Sequence, residues 1–244
     1  MKIFITGISS GIGKALAKYL LRQGHEVWGI ARREPLLQAF SREAGAEKLI
    51  WSVCDAGNMK QLQELKKKMA ENNFTPQACI LNAGISRYDI HSPLNPELCD
   101  AMVNANFHSV MNCCYLFSDE IKNQGGQFIL ISSIFARMPD CRNPAYSASK
   151  AAASILFRSL RLNDTFKGIR FKNVYLGPVQ TENDREKKLY IPSTDSTARF
   201  IACSVLLSGK NDFYYPFSAW LACKLFSAMP EGLFSRLTSP MRRP

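Results

Sequence analysis

Lys2-Ile3-Phe4-Ile5-Thr6-Gly7-Ile8-Ser9-Ser10-Gly11-Ile12-Gly13 stands at the head of the chain, and its reading decides the fold. Residues 3–5 are short, apolar and β-rich, which predicts a first strand. Glycines follow at once, and residues 11–22 carry Ile12, Leu16, Tyr19 and Leu20 at helical spacing. Strand, glycine loop and helix in this order make the first half of a βαβ unit. The glycines let the backbone turn tightly and approach a bound phosphate closely. The free N–H groups at the helix start then point at that phosphate. The spacing is neither G-x-G-x-x-G nor a P-loop, since Lys14 does not complete the latter.

Working outward, the same alternation repeats to the end of the chain. Strands are predicted over residues 27–31, 48–53, 77–81, 127–131, 169–176 and 212–215. Helices are predicted over 33–44, 59–72, 145–166 and 196–207, with two more helical segments between 96 and 123. Pro35 is compatible with a helix because it falls in a first turn. Alternating strands and helices predict one doubly wound Rossmann-type α/β domain. It has about seven parallel strands and helices on both faces. Such sheets bind ligands beyond the carboxyl ends of their strands.

Composition narrows the function classes. At 46% hydrophobic and 21% charged residues the chain reads as globular rather than disordered. Its 244 residues suit one large domain, with residues 1–182 carrying the motifs. Residues 183–244 then hold a substrate loop, a last strand and a C-terminal segment. The formal net charge of +11 is scattered in short clusters, with no basic tail and no recognition motif, so nucleic acid is not expected as a partner. Eight cysteines show no C-x-x-C spacing and the three histidines do not cluster with them, so no metal is expected. The cysteines read as reduced thiols, Cys79 as a buried one. The early first strand leaves no room for a signal peptide, and no run of 18 apolar residues occurs, so a cytoplasmic location is expected.

Tyr146-Ser147-Ala148-Ser149-Lys150 carries the sharpest chemical signal. Tyrosine and lysine four apart share one face of a helix. The lysine cation is expected to favour the phenolate and lower the tyrosine pKa toward neutrality. A single Y-x-x-x-K arises by chance in many helices, so its surroundings matter. Ser133 ends the fifth strand, thirteen residues before Tyr146, where a hydroxyl can hydrogen-bond a substrate carbonyl. Ser132 is the neighbour rejected on spacing.

Taken with Asn82-Ala83-Gly84 after the fourth strand, Asn106 in Asn106-Phe107-His108-Ser109, and Leu176-Gly177-Pro178-Val179-Gln180-Thr181 after the sixth, these motifs fall in one order. Over residues 1–182 the chain resembles the short-chain dehydrogenase/reductase superfamily. Its phosphate loop is TGxxxGxG, and its other motifs are NNAG, YxxxK and PGxVxT. The resemblance implies an oxidoreductase that moves hydride between a nicotinamide cofactor and a carbonyl or secondary alcohol. Asn106, Ser133, Tyr146 and Lys150 are then the catalytic set. Asn106, chosen over Asn104, holds a water in a relay with the lysine.

The same resemblance assigns cofactor binding to Gly7, Ser9, Ser10, Gly11, Ile12, Gly13, Asn82, Ala83, Gly84, Tyr146 and Lys150. Val179 and Thr181 bind the nicotinamide carboxamide, and Asp55 the adenine unless it merely caps the turn before Asn58. The second strand ends in Arg32-Arg33 with no carboxylate before Glu34, which favours a 2′-phosphate and hence NADP(H), with NAD(H) as the second choice. Arg32 is the first-ranked phosphate ligand and Arg33 the second. Four positions depart from the family: Leu81, Ser109, Ala136 and Leu176.

The partners expected are a small carbonyl or alcohol substrate and further copies of the chain. The segment holding Glu182, Asp184, Arg185, Glu186, Lys187 and Lys188 reads as a lid or a polar loop. The C-terminal stretch with Trp220, Leu221, Lys224, Leu225, Phe226, Phe234, Arg236, Leu237, Arg242 and Arg243 keeps four readings. They are an amphipathic segment on an anionic membrane, a lid over an apolar substrate, a dimer contact, or a final helix with a solvated tail. A nucleotide-binding regulatory protein of the same fold that lost catalysis is the alternative to an enzyme.

Overall fold

A computed structural model describes the whole chain except residues 46, 47, 88, 90, 182–190, 228, 231, 234, 235 and 237–244. The proposed lid residues, together with Phe234, Leu237, Arg242 and Arg243, lie outside the described residues.

Seven strands are β1 (Lys2–Thr6), β2 (Glu26–Ala31), β3 (Leu49–Val53), β4 (Ala78–Leu81), β5 (Gln127–Ser133), β6 (Arg170–Leu176) and β7 (Asp212–Tyr215). They form one parallel sheet in the order β3-β2-β1-β4-β5-β6-β7. β4 and β5 are buried along their whole length, as strands covered on both faces must be.

Among the described residues the eight α-helices are α1 (Gly11–Arg22), α2 (Glu34–Ala44), α3 (Met59–Glu71), α4 (Pro96–Val103), α5 (Ser109–Asn123), α6 (Pro144–Arg161), α7 (Thr194–Phe200) and α8 (Phe217–Ser227). One core lies between the sheet and α1, α2 and α7, with Leu16, Leu20, Leu37, Phe40 and Ile201 among its members. The other lies under α3, α5 and α6 and holds Trp28, Leu62, Phe117, Phe157 and Phe171. α1 stops at Gly24, whose φ of +82° favours glycine.

Two expected helices differ. The helix expected over 145–166 ends at Arg161, because the Asn163 side chain accepts from Thr165 N at 2.9 Å. That local bond starts a separate 3₁₀ turn, Asp164–Phe166. The helix expected over 196–207 starts at Thr194, where Ser193 accepts from Ser196 N, and continues as a π turn over Ile201–Val205. Chain reversal between β1 and β4 opens a crevice above their carboxyl ends, the switch point of this topology.

Candidate active site

The glycine loop is folded onto the end of β4. A Cβ at Gly13 would stand 2.2 Å from Gly7 O and 2.4 Å from Asn82 Nδ2. Gly7 has a φ of +78° and lies against Ala83 and Asn82. Neither position has room for a side chain. Asn82 Nδ2 donates to Thr6 O and Gly7 O, both at 3.1 Å. Thr6 Oγ1 accepts from Asn82 N at 3.0 Å and from Ala83 N at 2.9 Å. Thr6 was not singled out in the sequence, although a hydroxyl ending a strand before the loop is its signal. The side chain of Ser10 makes no capping bond to α1, so it leaves the helix's first N–H groups to another acceptor.

Above this loop lies a cleft of about 400 Å³. Among the expected residues Gly7, Ser9, Ser10, Ile12, Arg32, Arg33, Asp55, Asn82, Ala83, Gly84 and Thr181 line it. Gly11 has a φ of +57° and Gly13 packs beneath the loop, while Val179 packs against the core. Arg33 Nη2 donates to Ser9 Oγ at 2.9 Å and Ser10 Oγ at 2.7 Å, which brings the guanidinium onto the loop. Arg32 turns toward Asp55 instead, at a loose 3.8 Å. Asp55 Oδ1 also accepts from Gly57 N at 2.9 Å, whereas Asn58 caps α3 by accepting from Gln61 N.

None of the four catalytic candidates lines this cleft directly; Asn106 and Lys150 stand behind it, beside Gly84. α4 runs into a π turn, Asn104–His108, which buries Asn106 completely. Asn106 Nδ2 donates to Ile85 O at 2.9 Å and Ser149 Oγ at 3.0 Å, and its Oδ1 accepts from Ile85 N at 2.8 Å. Asn104 faces elsewhere, against Gly57. Ser149 in turn donates to Tyr146 O, joining Asn106 to the tyrosine-bearing turn of α6. Lys150 is buried, and its Nζ donates to Ile131 O at 3.0 Å. Ser133 faces Tyr146 through a side-chain hydrogen bond, while Ser132 is engaged with Ser154 at 2.7 Å. The Tyr146 ring stands edge-on to Phe135 at 6.5 Å.

A residue missed in the sequence holds this end together. Asn143, 3% exposed, caps α6 by accepting from Tyr146 N at 3.2 Å. Its Nδ2 donates to Ser86 Oγ and Arg87 O, both at 3.3 Å. Asparagine before Pro144-Ala145-Tyr146 is an N-cap signal that sequence reading could have used.

The expected lowering of the Tyr146 pKa is corrected. Burial pushes the phenol above its ordinary 10.0, the Ser133 hydrogen bond opposes this, and Asp140 adds to it. Lys150 does not figure among these influences. Burial instead lowers Lys150 itself, from 10.5 to about 8. Tyr146 is therefore a neutral phenol at pH 7.

Gly84 separates the two ends. A Cβ there would lie 2.8 Å from Asn106 Oδ1 and 3.1 Å from Lys150 Nζ. Gly84→Ala is expected to displace both groups, costing about 1–3 kcal/mol of stability and most of the activity. Thermal melts and initial rates check this, and unchanged values for both would remove the steric argument. Two family departures are absorbed quietly: Ser109 Oγ donates to Ala105 O at 2.7 Å, and Leu81 joins the apolar core.

A family model described as short chain dehydrogenase matches residues 1–190. The chain is 28% identical over 207 residues to 15-hydroxyprostaglandin dehydrogenase (NAD(+)) of Rattus norvegicus, covering 78% of this chain and 75% of that one. It is 26% identical over 181 residues to an NADPH-dependent 1-acyldihydroxyacetone phosphate reductase of Schizosaccharomyces pombe, covering 74% and 60%. In fold it is similar to a crystal structure of a short chain dehydrogenase from Burkholderia cenocepacia J2315 in complex with NADP. The TM-score is 0.82, at 24% identity and 96% coverage of both chains. With the matched family extending from the phosphate loop through the tyrosine–lysine helix, the chain belongs to the short-chain dehydrogenase family and is an NAD(P)-dependent oxidoreductase.

Proposed function

We propose that this oxidoreductase prefers NADP(H) and works on a carbonyl or secondary alcohol, with Tyr146 as the acid/base. The observation that carries the reading is that Asn106 and Lys150 flank Gly84, which lines the same cleft as the loop and Arg33, while Tyr146, one turn before Lys150 on α6, meets Ser133.

The residues fit a dinucleotide. Gly7 and Gly13 have no room for a Cβ, which brings bare backbone to the cleft. Gly7, Ser9, Ser10, Gly11, Ile12 and Gly13 would hold its pyrophosphate half, and Asp55 its adenine. Asn82, Ala83 and Gly84 would lie under it, with Val179 and Thr181 at the carboxamide and Tyr146 and Lys150 at the ribose. When bound, the cofactor supplies or accepts the hydride. In reduction Ser133 Oγ hydrogen-bonds the substrate oxygen and Tyr146 Oη gives that oxygen its proton. Lys150 keeps a cation beside this end at neutral pH, and Asn106 ties Ile85 to Ser149 in the turn that follows Tyr146. A phenol held neutral suits reduction as the working direction. Phe135 beside Tyr146 suits a substrate with an apolar portion.

Relatives carry both cofactors in their names, so the preference rests on this chain's arginines. Arg33 across Ser9 and Ser10 supports it more strongly than Arg32, which Asp55 half neutralises. Separate titrations of NADPH and NADH, followed by cofactor fluorescence, test the reading. NADPH is expected to bind more tightly. Arg33→Glu is expected to weaken NADPH roughly tenfold to a hundredfold through lost charge-assisted bonds, with a smaller effect on NADH. Equal losses for both cofactors would move Arg33 off the 2′-phosphate. No binding of either would leave the regulatory alternative. All eight cysteines are free, which suits a reducing cytoplasm. Copies of the chain are read as pairing, to be checked by light scattering.

A further inference from the structure

Helix α8 is apolar on every side. Among residues 217–227 only Lys224 is charged. Ala219 and Cys223, four apart and each 3% exposed, close onto Ile134, with Phe135, Met138 and Tyr214 alongside. The opposite side carries Phe217, Leu221 and Leu225, again four apart, exposed by 73%, 45% and 56%. Trp220 flanks them at 38% exposed, its ring stacked on Phe217 at 5.3 Å. A helix hydrophobic all round belongs in an apolar medium on both sides. Here the described residues cover one side.

Charge decides what covers the other. From residue 217 to the C-terminus the sequence holds Lys224, Arg236, Arg242 and Arg243 against a single acid, Glu231, within a chain of net charge +11. A two-fold contact with a second copy would set this basic segment against itself with no carboxylate on α8 to pair it. An anionic lipid surface matches both the apolar side and the charge. No helix among the described residues is long and apolar enough to cross a membrane, so the contact is interfacial.

We propose that α8 lies flat on an anionic bilayer. Phe217, Leu221 and Leu225 enter the acyl boundary, and Trp220 sits at headgroup level. Lys224, between them on the same side of the helix, extends its ammonium to the phosphates. Because Phe135 touches both the α8 cluster and the edge of Tyr146, this docking brings the catalytic end to the bilayer. The proposal stands on the surface alone and does not depend on the cofactor preference.

Sedimentation of the full chain with vesicles tests it, using phosphatidylcholine with and without phosphatidylglycerol. Partitioning is expected to be at least about tenfold stronger on the anionic vesicles, given two or more cations near the surface, and to fall at high salt. Trp220 emission is expected to shift blue on binding and to be quenched by brominated lipid, both lost in Trp220→Phe. A Leu221→Asp, Leu225→Asp variant is expected to lose vesicle binding while circular dichroism and melting stay unchanged. If that variant misfolds, quenching in the unmodified chain still decides. Equal partitioning on both vesicles, or none, overturns the proposal. So does a dimer in solution that the double variant splits, which would give this face to a second copy.

Discussion

Tyr146→Phe is expected to abolish turnover while leaving the fold intact and costing cofactor affinity no more than one hydrogen bond at the ribose. The substitution removes one oxygen. The ring keeps its edge-on contact with Phe135, and α6 keeps its Asn143 cap, which acts through the Tyr146 backbone N–H. What disappears is the hydroxyl bonded to Ser133, the group proposed to move a proton at the substrate oxygen. General acid catalysis of this kind contributes about 10²–10⁴ in rate, so kcat for carbonyl reduction should fall by at least that range. The lost Ser133 bond costs about 1 kcal/mol, so the melting temperature should fall by only about 2–4 °C. The check is kcat over a panel of carbonyls, with the NADPH dissociation constant measured beside it. Retained turnover would show that another group delivers the proton. An unmodified chain that binds NADPH but turns over no carbonyl or alcohol would favour the regulatory reading.

The pH dependence gives the same assignment a second test. Burial holds the phenol above its ordinary value, so the proton-donating form is fully present at neutral pH. Reduction is expected to stay flat through neutrality and to decline from about pH 8, where Lys150 loses its proton, with Tyr146 titrating only at higher pH. A decline centred near neutrality would mean that Tyr146 titrates far below the position its burial implies.

Local chemistry was legible in the sequence, and chemistry set by the third dimension was not. The β1–loop–α1 unit could be read because its glycines, apolar run and helix spacing sit within about twenty residues and need no partner. The parallel sheet follows from the alternation, whereas its order does not, because right-handed crossovers allow more than one order. Spacing favoured Ser133 over Ser132 and the family resemblance favoured Asn106 over Asn104; in the structure Ser132 is engaged with Ser154 and Asn104 lies against Gly57. Arg32 against Arg33 was harder. Neighbouring residues leaving a strand point in different directions, and only the folded loop shows which one reaches Ser9 and Ser10. The pKa of Tyr146 was misjudged for a related reason. The i,i+4 spacing gives proximity along a helix but says nothing of burial, and here burial outweighs the lysine. Thr6 escaped because its partners Asn82 and Ala83 lie at the end of another strand, and so did Asn143's bonds to Ser86 and Arg87, although its cap on Tyr146 N is local.

Lys150→Met is expected to remove turnover and, in the same variant, to make the chain more stable at pH 7. Lys150 is 6% exposed and its ammonium bonds Ile131 O at 3.0 Å. Burial lowers it from 10.5 to about 8. Below pH 8 the ammonium is charged in the folded and unfolded chain alike, and folding carries the full cost of burying that charge. Between about 8 and 10.5 the unfolded chain binds more protons than the folded one, so stability from this group rises with pH across that window. The cost at neutral pH is about 3 kcal/mol. Methionine fills similar space without charge, and losing the bond to Ile131 returns about 1 kcal/mol. The net gain of about 2 kcal/mol should raise the melting temperature by roughly 4–8 °C. Melts of both proteins at pH 7 and pH 10 check it: the gap should be wide at the first and nearly closed at the second. Equal melts at pH 7 would mean that the buried ammonium is better solvated than its surroundings imply. Retained turnover would take Lys150 out of the proposed catalytic set. A buried cation that weakens the fold and pairs with no carboxylate among the described residues has a reason to be there if the chemistry beside Gly84 and Tyr146 needs it.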